Sequence, residues 1–296
     1  MSEFLQQLLN GLSLGAIYAL IALGYTMVYG VLRFINFAHS DVFMVGAFIG
    51  YYAGRLVPEG TLWGGMIVLL TAMIGCALLG MLIERLAYRR LRGAATLNVL
   101  ITAIGVSLLL EYSGQVFFGA APRTFPAVFP SANFDVGGLV LSTNQLAVIV
   151  IAVLLMLALQ FIVYRTKIGT AMRAVSLNPR AAQLVGVNND VVISFTFGLG
   201  SALAGAGGIL YAMNYPSIDP LMGVMPGLKA FVAAVLGGIG NIPGAALGGL
   251  ILGTVETFVN GSQWSTYKDA IAFAILIIIL LFRPAGLLGK FTVEKV

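Results

Sequence analysis

The sequence predicts an all-α polytopic integral membrane protein, and three observations support this fold class. Of the 296 residues, 59% are hydrophobic and only 9% are charged, which is too much apolar surface for one soluble core. Glycine accounts for 37 residues, well above the usual share, and glycine lets membrane helices approach closely. Long apolar runs recur along the whole chain. We therefore expect residues 1–296 to form a single transmembrane domain.

Most of these apolar runs have the length that a helix needs to cross a bilayer, which is about 20 residues. They lie at 5–31, 62–83, 96–118, 145–163, 191–212 and 269–282. The run 42–57 is short for a span, and 225–261 is too long for one helix. Glycines and a proline interrupt the latter, and such residues break helices. We therefore expect a broken helix near 237–244.

Clusters of basic residues predict how these segments are oriented. Arginines and lysines concentrate in 85–92, 165–180 and 283–295, so the positive-inside rule places these three regions in the cytoplasm. An even number of crossings must then follow residue 190, which requires 225–261 to fold back. The total is nine crossings, or eight if 225–261 only re-enters the membrane. The N-terminus is expected outside and the C-terminus in the cytoplasm.

This topology predicts an inverted repeat. The four elements before 145–163 run in the opposite sense to the four elements after residue 190. Inverted repeats are common in transporters, which place substrate beside broken helices near the bilayer midplane. The candidates for a translocation path are therefore Gly237, Gly238, Gly240, Asn241 and Pro243, together with the polar residues Asn36 and His39 at a span boundary.

Simpler structural roles are possible for the same residues. Small residues recur at four-residue spacing, which lines one face of a helix and allows helices to cross closely. These stripes are Gly46, Gly50 and Gly54; Gly240, Gly244 and Gly248; and Gly11 with Gly15. On this alternative the glycines only pack helices, and a lone histidine is structural.

Several kinds of chemistry are not predicted. One histidine and one cysteine do not supply the usual zinc ligand sets, and no catalytic motif is present, so we expect no catalytic residue and no metal site. The chain has no G-x-x-x-x-G-K-[ST] loop, so it lacks a P-loop nucleotide site of its own. The basic residues are spread over loops and do not indicate nucleic-acid binding.

The polar insert 164–190 is expected to be a cytoplasmic loop that carries a short helix. Asn178 is a good N-cap, Pro179 suits the first helical position, and Gly186 suits the residue after a helix end. Arg180 and Gln183 would lie on its exposed face. An apolar surface able to enter a partner's groove would come from Ala181, Ala182, Leu184 and Val185. The alternative is an interfacial helix that rests on lipid.

At this insert the chain resembles the permease subunits of ATP-binding-cassette importers. Arg180, Ala181, Ala182 and Gly186 are similar to the coupling-loop pattern of that class, which has Glu in place of Arg180. The resemblance implies that the loop contacts an ATPase subunit. The implied coupling residues are Asn178, Pro179, Arg180, Ala181, Ala182, Leu184, Gly186 and Asn188.

Segments 30–39, 172–175, 182–188 and 235–244 more specifically resemble the high-affinity branched-chain amino-acid permeases of the LivH type. This resemblance implies a non-catalytic subunit of a bacterial inner-membrane importer for leucine, isoleucine and valine. The implied partners are a second, LivM-like permease, two cytoplasmic ATPase subunits and a periplasmic solute-binding protein. The ATPases would use ATP and Mg, and this chain would bind no cofactor.

Three other functions are alternatives to this one. A permease for urea or short-chain amides belongs to the same group and shares the motifs. An ion-coupled secondary transporter would normally carry more intramembrane carboxylates, and a non-transporting membrane scaffold leaves the broken helix unexplained.

Overall fold

The computed structural model describes residues 2–289, and its regular structure is almost entirely helical. The helices are α1 (Ser2–Leu32), α2 (His39–Gly54), α3 (Leu62–Ile83), α4 (Thr96–Phe118), α5 (Thr143–Arg165), α6 (Lys167–Leu177), α7 (Pro179–Leu184), α8 (Asn189–Asn214), α9 (Val224–Gly237), α10 (Ile242–Asn260) and α11 (Lys268–Phe282). A π-helical turn (Glu84–Tyr88) and a 3₁₀ turn (Arg89–Leu91) continue α3. The predicted all-α membrane fold class is confirmed.

The number of membrane-crossing helices is lower than predicted. Seven helices in the described residues are long and apolar enough to cross a bilayer, whereas the sequence predicted eight or nine crossings. The difference lies in α2, with 16 residues, and α9, with 14 residues. At about 1.5 Å per residue both helices are shorter than the roughly 30 Å of a bilayer's hydrocarbon core.

The predicted broken helix is confirmed between α9 and α10. Gly238 and Gly240 both have positive φ angles, of 105° and 90°, a conformation that side chains with a Cβ rarely adopt. The Asn241 Oδ1 then accepts a hydrogen bond from the Gly244 backbone N–H at 3.1 Å, which caps α10. The backbones of Gly237 and Gly244 are in close contact, so the two helices pack against each other as a hairpin.

α1 and α8 form the centre of the bundle. α1 packs against α5, α8, α9 and α10, and α8 packs against α2 and α3 as well. Both helices are largely buried, whereas α4, α5 and α11 are mostly exposed. The apolar exposed surfaces of these outer helices are suited to contact lipid or another membrane subunit.

Glycines make the central contacts possible. A Cβ on Gly15 would lie 2.8 Å from the Leu250 Cα, and a Cβ on Gly46 would lie 2.6 Å from the Gly205 Cα. Such distances are shorter than real Cβ contacts, so a larger residue at either position would push the helices apart. For these two glycines the helix-packing alternative is confirmed.

Two small sheets, which the sequence did not predict, lie beside the helix ends. The strands are β1 (Arg123–Thr124), β2 (Asn133–Val136), β3 (Leu139–Ser142) and β4 (Ser217–Ile218). β1 pairs with β4, and β2 pairs with β3 as a hairpin. The Gln6 side chain joins α1 to this hairpin by accepting from the Val140 N–H at 3.0 Å and donating to the Val140 carbonyl at 3.1 Å.

The inverted repeat and the orientation of the two termini stay predictions. Of the basic residues that predict a cytoplasmic C-terminus, Lys290 and Lys295 lie outside the described residues.

Candidate functional site

The insert 164–190 folds into two helices, where the sequence predicted only one. α6 begins after Thr166, whose Oγ1 accepts a hydrogen bond from the Gly169 N–H at 3.2 Å. Its inner face buries Met172 and Val175. With charged residues on its other face, α6 has no long apolar run, and this is why it was missed.

α7 begins and ends as the sequence predicted. The Asn178 Oδ1 accepts hydrogen bonds from the N–H groups of Arg180 and Ala181 at 3.0 and 3.1 Å. Pro179 occupies the first turn. After the last helical residue, Gly186 has a φ of 87°. Asn188 then caps α8 by accepting from the Asp190 N–H at 3.0 Å.

The exposed surface of α7 differs from the expected one at a single residue. Ala182 is 3% exposed and faces the protein, so it does not belong to the apolar outer surface. Leu184 and Val185 are 89% and 78% exposed. Leu177, at the end of α6, is also exposed and adds to the apolar surface. The result is a small apolar patch around the α7 helix, which also exposes Arg180.

Two backbone carbonyl groups of α7 accept hydrogen bonds that hold this short helix in place. The Asn189 Nδ2 donates a hydrogen bond to the Pro179 carbonyl at 2.9 Å. The Val187 N–H donates to the Ala182 carbonyl at 3.0 Å. The start of α7 is thereby tied to the first residue of α8, and the end of α7 is tied to the turn that leads into α8.

A network of ion pairs extends this connection to α3. Asp190 pairs with both Arg89 and Arg92. Arg92 also pairs with Glu84, and the Ser194 hydroxyl donates to the same carboxylate. The Glu84 side chain is fully buried, so the network anchors the start of α8 to the turns that continue α3 at its C-terminal end.

Sequence reasoning missed this network. It treated the arginines of segment 85–92 only as an orientation signal. Few acidic residues lie in or beside the three arginine-rich regions, and Glu84 and Asp190 are two that lie beside them. Their position beside those regions was the available signal that the arginines are paired.

Two large cavities border the loop in the described part of the chain, beside a smaller one of about 230 Å³. The larger, of about 810 Å³, is lined by residues from α1, the turns after α3, α4, and the segment from α6 to α8. The second, of about 530 Å³, lies between α1 and the break in the α9–α10 hairpin. Gly240 and Asn241 line this second cavity, together with Tyr29 and Arg33.

The remaining path candidates lie away from these cavities. Asn36 is buried and accepts a hydrogen bond from the Tyr88 hydroxyl at 2.6 Å. His39 is buried with its ring edge-on to Tyr25, the ring centroids being 4.7 Å apart. A Cβ on Gly238 would lie 2.5 Å from the Gly289 backbone nitrogen. Their roles in translocation stay predictions.

Gly237 and Pro243 complete this set of path candidates. Gly237 is buried at the end of α9, and Pro243 is exposed in the first turn of α10. Their roles in translocation also stay predictions.

A buried ion-pair cluster joins four helices at the opposite end of the bundle. The Lys229 Nζ lies 2.6 Å from Glu256 Oε1 and 2.6 Å from Asp269 Oδ1. The Tyr18 hydroxyl donates to Glu256 Oε2 at 2.9 Å. Lys229 and Glu256 thus have the structural pairing that is expected of charged residues within a membrane. No three potential metal ligands converge among residues 2–289.

Comparison with known proteins gives a consistent result over the whole chain. Residues 7–280 match the family described as branched-chain amino acid transport system / permease component. The chain is 43% identical to the high-affinity branched-chain amino acid transport system permease protein BraD of Pseudomonas aeruginosa, with 99% of this chain and 98% of that protein covered.

Two further relatives extend this similarity. The high-affinity permease protein LivH of Escherichia coli is 41% identical, over 99% of this chain and 98% of its own. A probable branched-chain amino acid transport permease protein of Methanocaldococcus jannaschii is 30% identical, over 91% of this chain and 88% of its own.

Proposed function

Because the chain belongs to the family of branched-chain amino acid transport system permease components, we propose that it is the permease subunit of an ATP-binding-cassette importer for leucine, isoleucine and valine. The observation that carries this proposal is identity of 43% and 41%, over nearly the full length, to two permeases of high-affinity branched-chain systems. The chain is a multi-pass membrane protein. The bacterial inner membrane is its proposed location, with the N-terminus outside and the C-terminus in the cytoplasm.

The proposed partners follow from this role. A LivM-like permease completes the translocation unit, two cytoplasmic ATPase subunits use ATP and Mg, and a periplasmic solute-binding protein delivers the amino acid. This chain is then a non-catalytic subunit without a cofactor of its own. The apolar outer helices α4, α5 and α11 leave ample surface for the second permease and for lipid.

The loop 164–190 is the proposed site at which ATP hydrolysis acts on this chain. Leu177, Leu184 and Val185 form an exposed apolar patch, which suits insertion into a groove of the ATPase. This patch is flanked by Arg180, Ala181, Gly186 and Asn188. Its helix begins at Asn178 and Pro179.

A hydrogen bond and several ion pairs connect the loop to the helix bundle, so that movement of the loop would move these helices. The Asn189–Pro179 hydrogen bond ties α7 to α8, and the ion pairs of Asp190 tie α8 to the inner end of α3. α8 lies at the centre of the bundle and packs against α1, α2 and α3. A push on α7 would therefore rotate a rigid group of helices, as alternating access requires.

The broken hairpin is the proposed place for solute to pass. Gly240 and Asn241 line a cavity of about 530 Å³ beside α1, and glycine leaves the backbone open there. Weak, largely apolar contact is sufficient for a branched-chain amino acid, since the binding protein can supply the selectivity.

Co-purification with subunits encoded nearby tests the proposed assembly. We expect a second permease and two ATPase copies in the purified complex, and tight binding of leucine by the associated binding protein in calorimetry. Isolation of the chain without an ATPase would contradict the importer role. Binding of urea or a short amide, with no binding of leucine, would contradict the substrate.

A further inference from the structure

The small cavity beside the broken hairpin has a buried polar group without a partner in its wall. Its volume is about 230 Å³, and it lies between the ends of α1 and α5, α6 and the start of α10. Thr26 lines this cavity and is 1% exposed, yet its hydroxyl has no hydrogen-bond partner in the described part of the chain. A buried hydroxyl is unfavourable without a partner, and a ligand in the cavity would supply one.

Arg173 gives the same wall a positive charge. Its Nη1 donates to the Val163 carbonyl at 3.0 Å, and its Nη2 donates to the Thr170 hydroxyl at 3.3 Å. The guanidinium group lies over the Tyr164 ring, 5.7 Å from the ring centroid. These contacts hold it in place, but between residues 2 and 289 Arg173 takes part in no ion pair. The guanidinium therefore has charge and donors left for a carboxylate.

The last turn of α1 supplies acceptors beside these donors. Gly30 and Val31 line the cavity, and α1 ends at Leu32. Carbonyl groups in the last turn of a helix lack a partner within the helix. Those of Gly30 and Val31 also accept no hydrogen bond from any other backbone N–H in residues 2–289. Because this end of a helix carries a partial negative charge, it favours an ammonium group.

The rest of the wall is apolar. It contains the buried side chains of Met27, Val31, Val163, Met172 and Ile242. At roughly 30 Å³ per water molecule, the cavity holds about eight water-sized groups. This is the size of an amino acid with a short branched side chain.

The small cavity adjoins the cavity of about 530 Å³ at the hairpin break. Gly30, Tyr164, Ser176 and Gly240 line both cavities. A Cβ on Gly30 would lie 3.8 Å from the Gly240 Cα, so a side chain larger than a methyl group at either glycine would narrow the connection. A solute at the break can therefore reach the small cavity.

We propose that the small cavity is a subsite that holds the branched-chain amino acid on its way through the permease. The Arg173 guanidinium and the Thr26 hydroxyl donate to its carboxylate. The carbonyl groups that end α1 accept from its ammonium group, and its side chain packs against the apolar wall. This assignment rests on the proposed transport function and names the residues of this chain that recognise the solute.

Two other occupants match the wall less well. A free anion would use Arg173, but neither the acceptors at the end of α1 nor the apolar residues. Water molecules would satisfy the polar groups but gain nothing from the apolar side chains. A zwitterion with a branched apolar side chain uses all three parts of the wall.

Binding is measured on the complex with its co-purified subunits in nanodiscs, without the binding protein, by saturation-transfer NMR with millimolar leucine. Two analogues separate the charged contacts, because isoamylamine lacks the carboxylate and isocaproate lacks the ammonium group. The test variants are Arg173→Gln and Thr26→Val. The control Arg165→Gln removes a charge near the same loop, and the control Thr196→Val removes an equally buried hydroxyl from α8. Neither control residue lines the cavity.

We expect wild type and controls to bind leucine equally, and more tightly than either analogue. Arg173→Gln should weaken leucine binding about 10-fold and Thr26→Val about fivefold, as expected for the loss of one hydrogen bond to a charged group. Neither change should weaken the binding of isoamylamine, which has no carboxylate. Arg173→Lys, which keeps the charge, should recover part of the leucine affinity.

Three results would overturn the subsite. The first is leucine binding by both test variants that equals binding by their controls. The second is an equal loss of leucine and isoamylamine, which would mean that the two residues only shape the cavity. The third is binding of isocaproate as tight as that of leucine, which would exclude the ammonium contact.

ATP-driven leucine uptake by the same wild-type complex separates this proposal from the proposed function. Uptake by wild type, together with any of these three results, would overturn the subsite alone. Absence of leucine uptake in the presence of the binding protein would contradict the transport function itself.

Discussion

At the residue scale, Gly186 sets the backbone that ends the α7 helix. Its φ is 87°, and no atom lies within 4 Å of the position that a Cβ would occupy. A β-branched residue there is strained by about 1–2 kcal/mol through its backbone alone. We predict that Gly186→Val displaces the loop, so that ATPase activity continues while transport falls.

The matched control for this change is Gly186→Asn, because asparagine tolerates a positive φ. We expect the asparagine variant to keep most of its transport and both variants to insert normally in the membrane. ATPase and uptake rates measured on the same preparations give the comparison. Equal coupling in the valine and asparagine variants would contradict the role of the loop.

Lys229 pairs with the buried Glu256 carboxylate and with the partly exposed Asp269, and its removal should be costly. In Lys229→Met the buried Glu256 carboxylate, which is 6% exposed, loses its cation. Breaking a buried pair in this way costs about 3–5 kcal/mol. We predict a clear fall in the thermal unfolding midpoint in detergent, which Glu256→Gln in the same chain should largely restore.

The neighbouring Lys268→Met is the control for Lys229→Met, because Lys268 forms none of the ion pairs found in the described residues. Its thermal midpoint should stay close to wild type. Equal stability of the two methionine variants would show that the cluster around Lys229 contributes little.

Residue-level roles could be predicted only where they depend on local sequence. The cap at Asn178 and the helix stop at Gly186 follow from their immediate neighbours along the chain. By contrast, the pairing of Asp190 with Arg89 and Arg92 joins segments about 100 residues apart, and local patterns hold no information on such contacts. The predicted outward orientation of Ala182 was wrong because its burial also depends on contacts that local sequence does not show.

At the scale of helices, the contact of α1 with α10 depends on glycine. A Cβ on Gly253 would clash with the backbone of Gly15, and overpacking of this kind typically costs about 1–3 kcal/mol. We predict that Gly253→Val separates the two helices and lowers the unfolding temperature in detergent.

Gly105→Val is the matched control for this change. Gly105 also lies in a membrane helix, but nothing is within 4 Å of its Cβ position. Its unfolding temperature should stay near that of wild type. A similar fall in both variants would show that valine itself destabilises these helices. It would contradict the prediction that the close contact at Gly253 causes the fall.

Helices were predictable from the sequence where a long apolar run alone defines them. The ends of α4 agree with the predicted bounds 96–118, and the other predicted spans agree within three residues at each end. α6 was missed because its apolar residues occupy only one face. The two small sheets were missed because their strands have no more than four residues.

At the scale of the whole molecule, the topology makes a simple prediction. In a Cys76→Ala background, a cysteine at position 123 should react with an impermeant maleimide applied to intact cells, and a cysteine at position 184 only after the cells are opened. Position 123 lies in β1 and position 184 ends α7, and both lie outside the spans. Labelling with the reverse pattern would overturn the orientation.

At this scale the family assignment rests on sequence similarity, and the structure adds the contacts through which the loop is proposed to move the bundle. Composition and periodicity alone predicted a membrane bundle with a broken hairpin. They overestimated the number of crossings because α2 and α9 are apolar but short. The arrangement of α8 between the coupling loop and α1 depends on long-range packing, and only the structure shows it.

Leucine uptake by proteoliposomes tests the central claim most directly. The vesicles would contain this chain with its co-purified subunits, ATP inside and the binding protein outside. The account predicts uptake of labelled leucine that requires internal ATP, stops with vanadate and continues in the presence of an uncoupler. Uptake that survives vanadate and collapses with the uncoupler would contradict it.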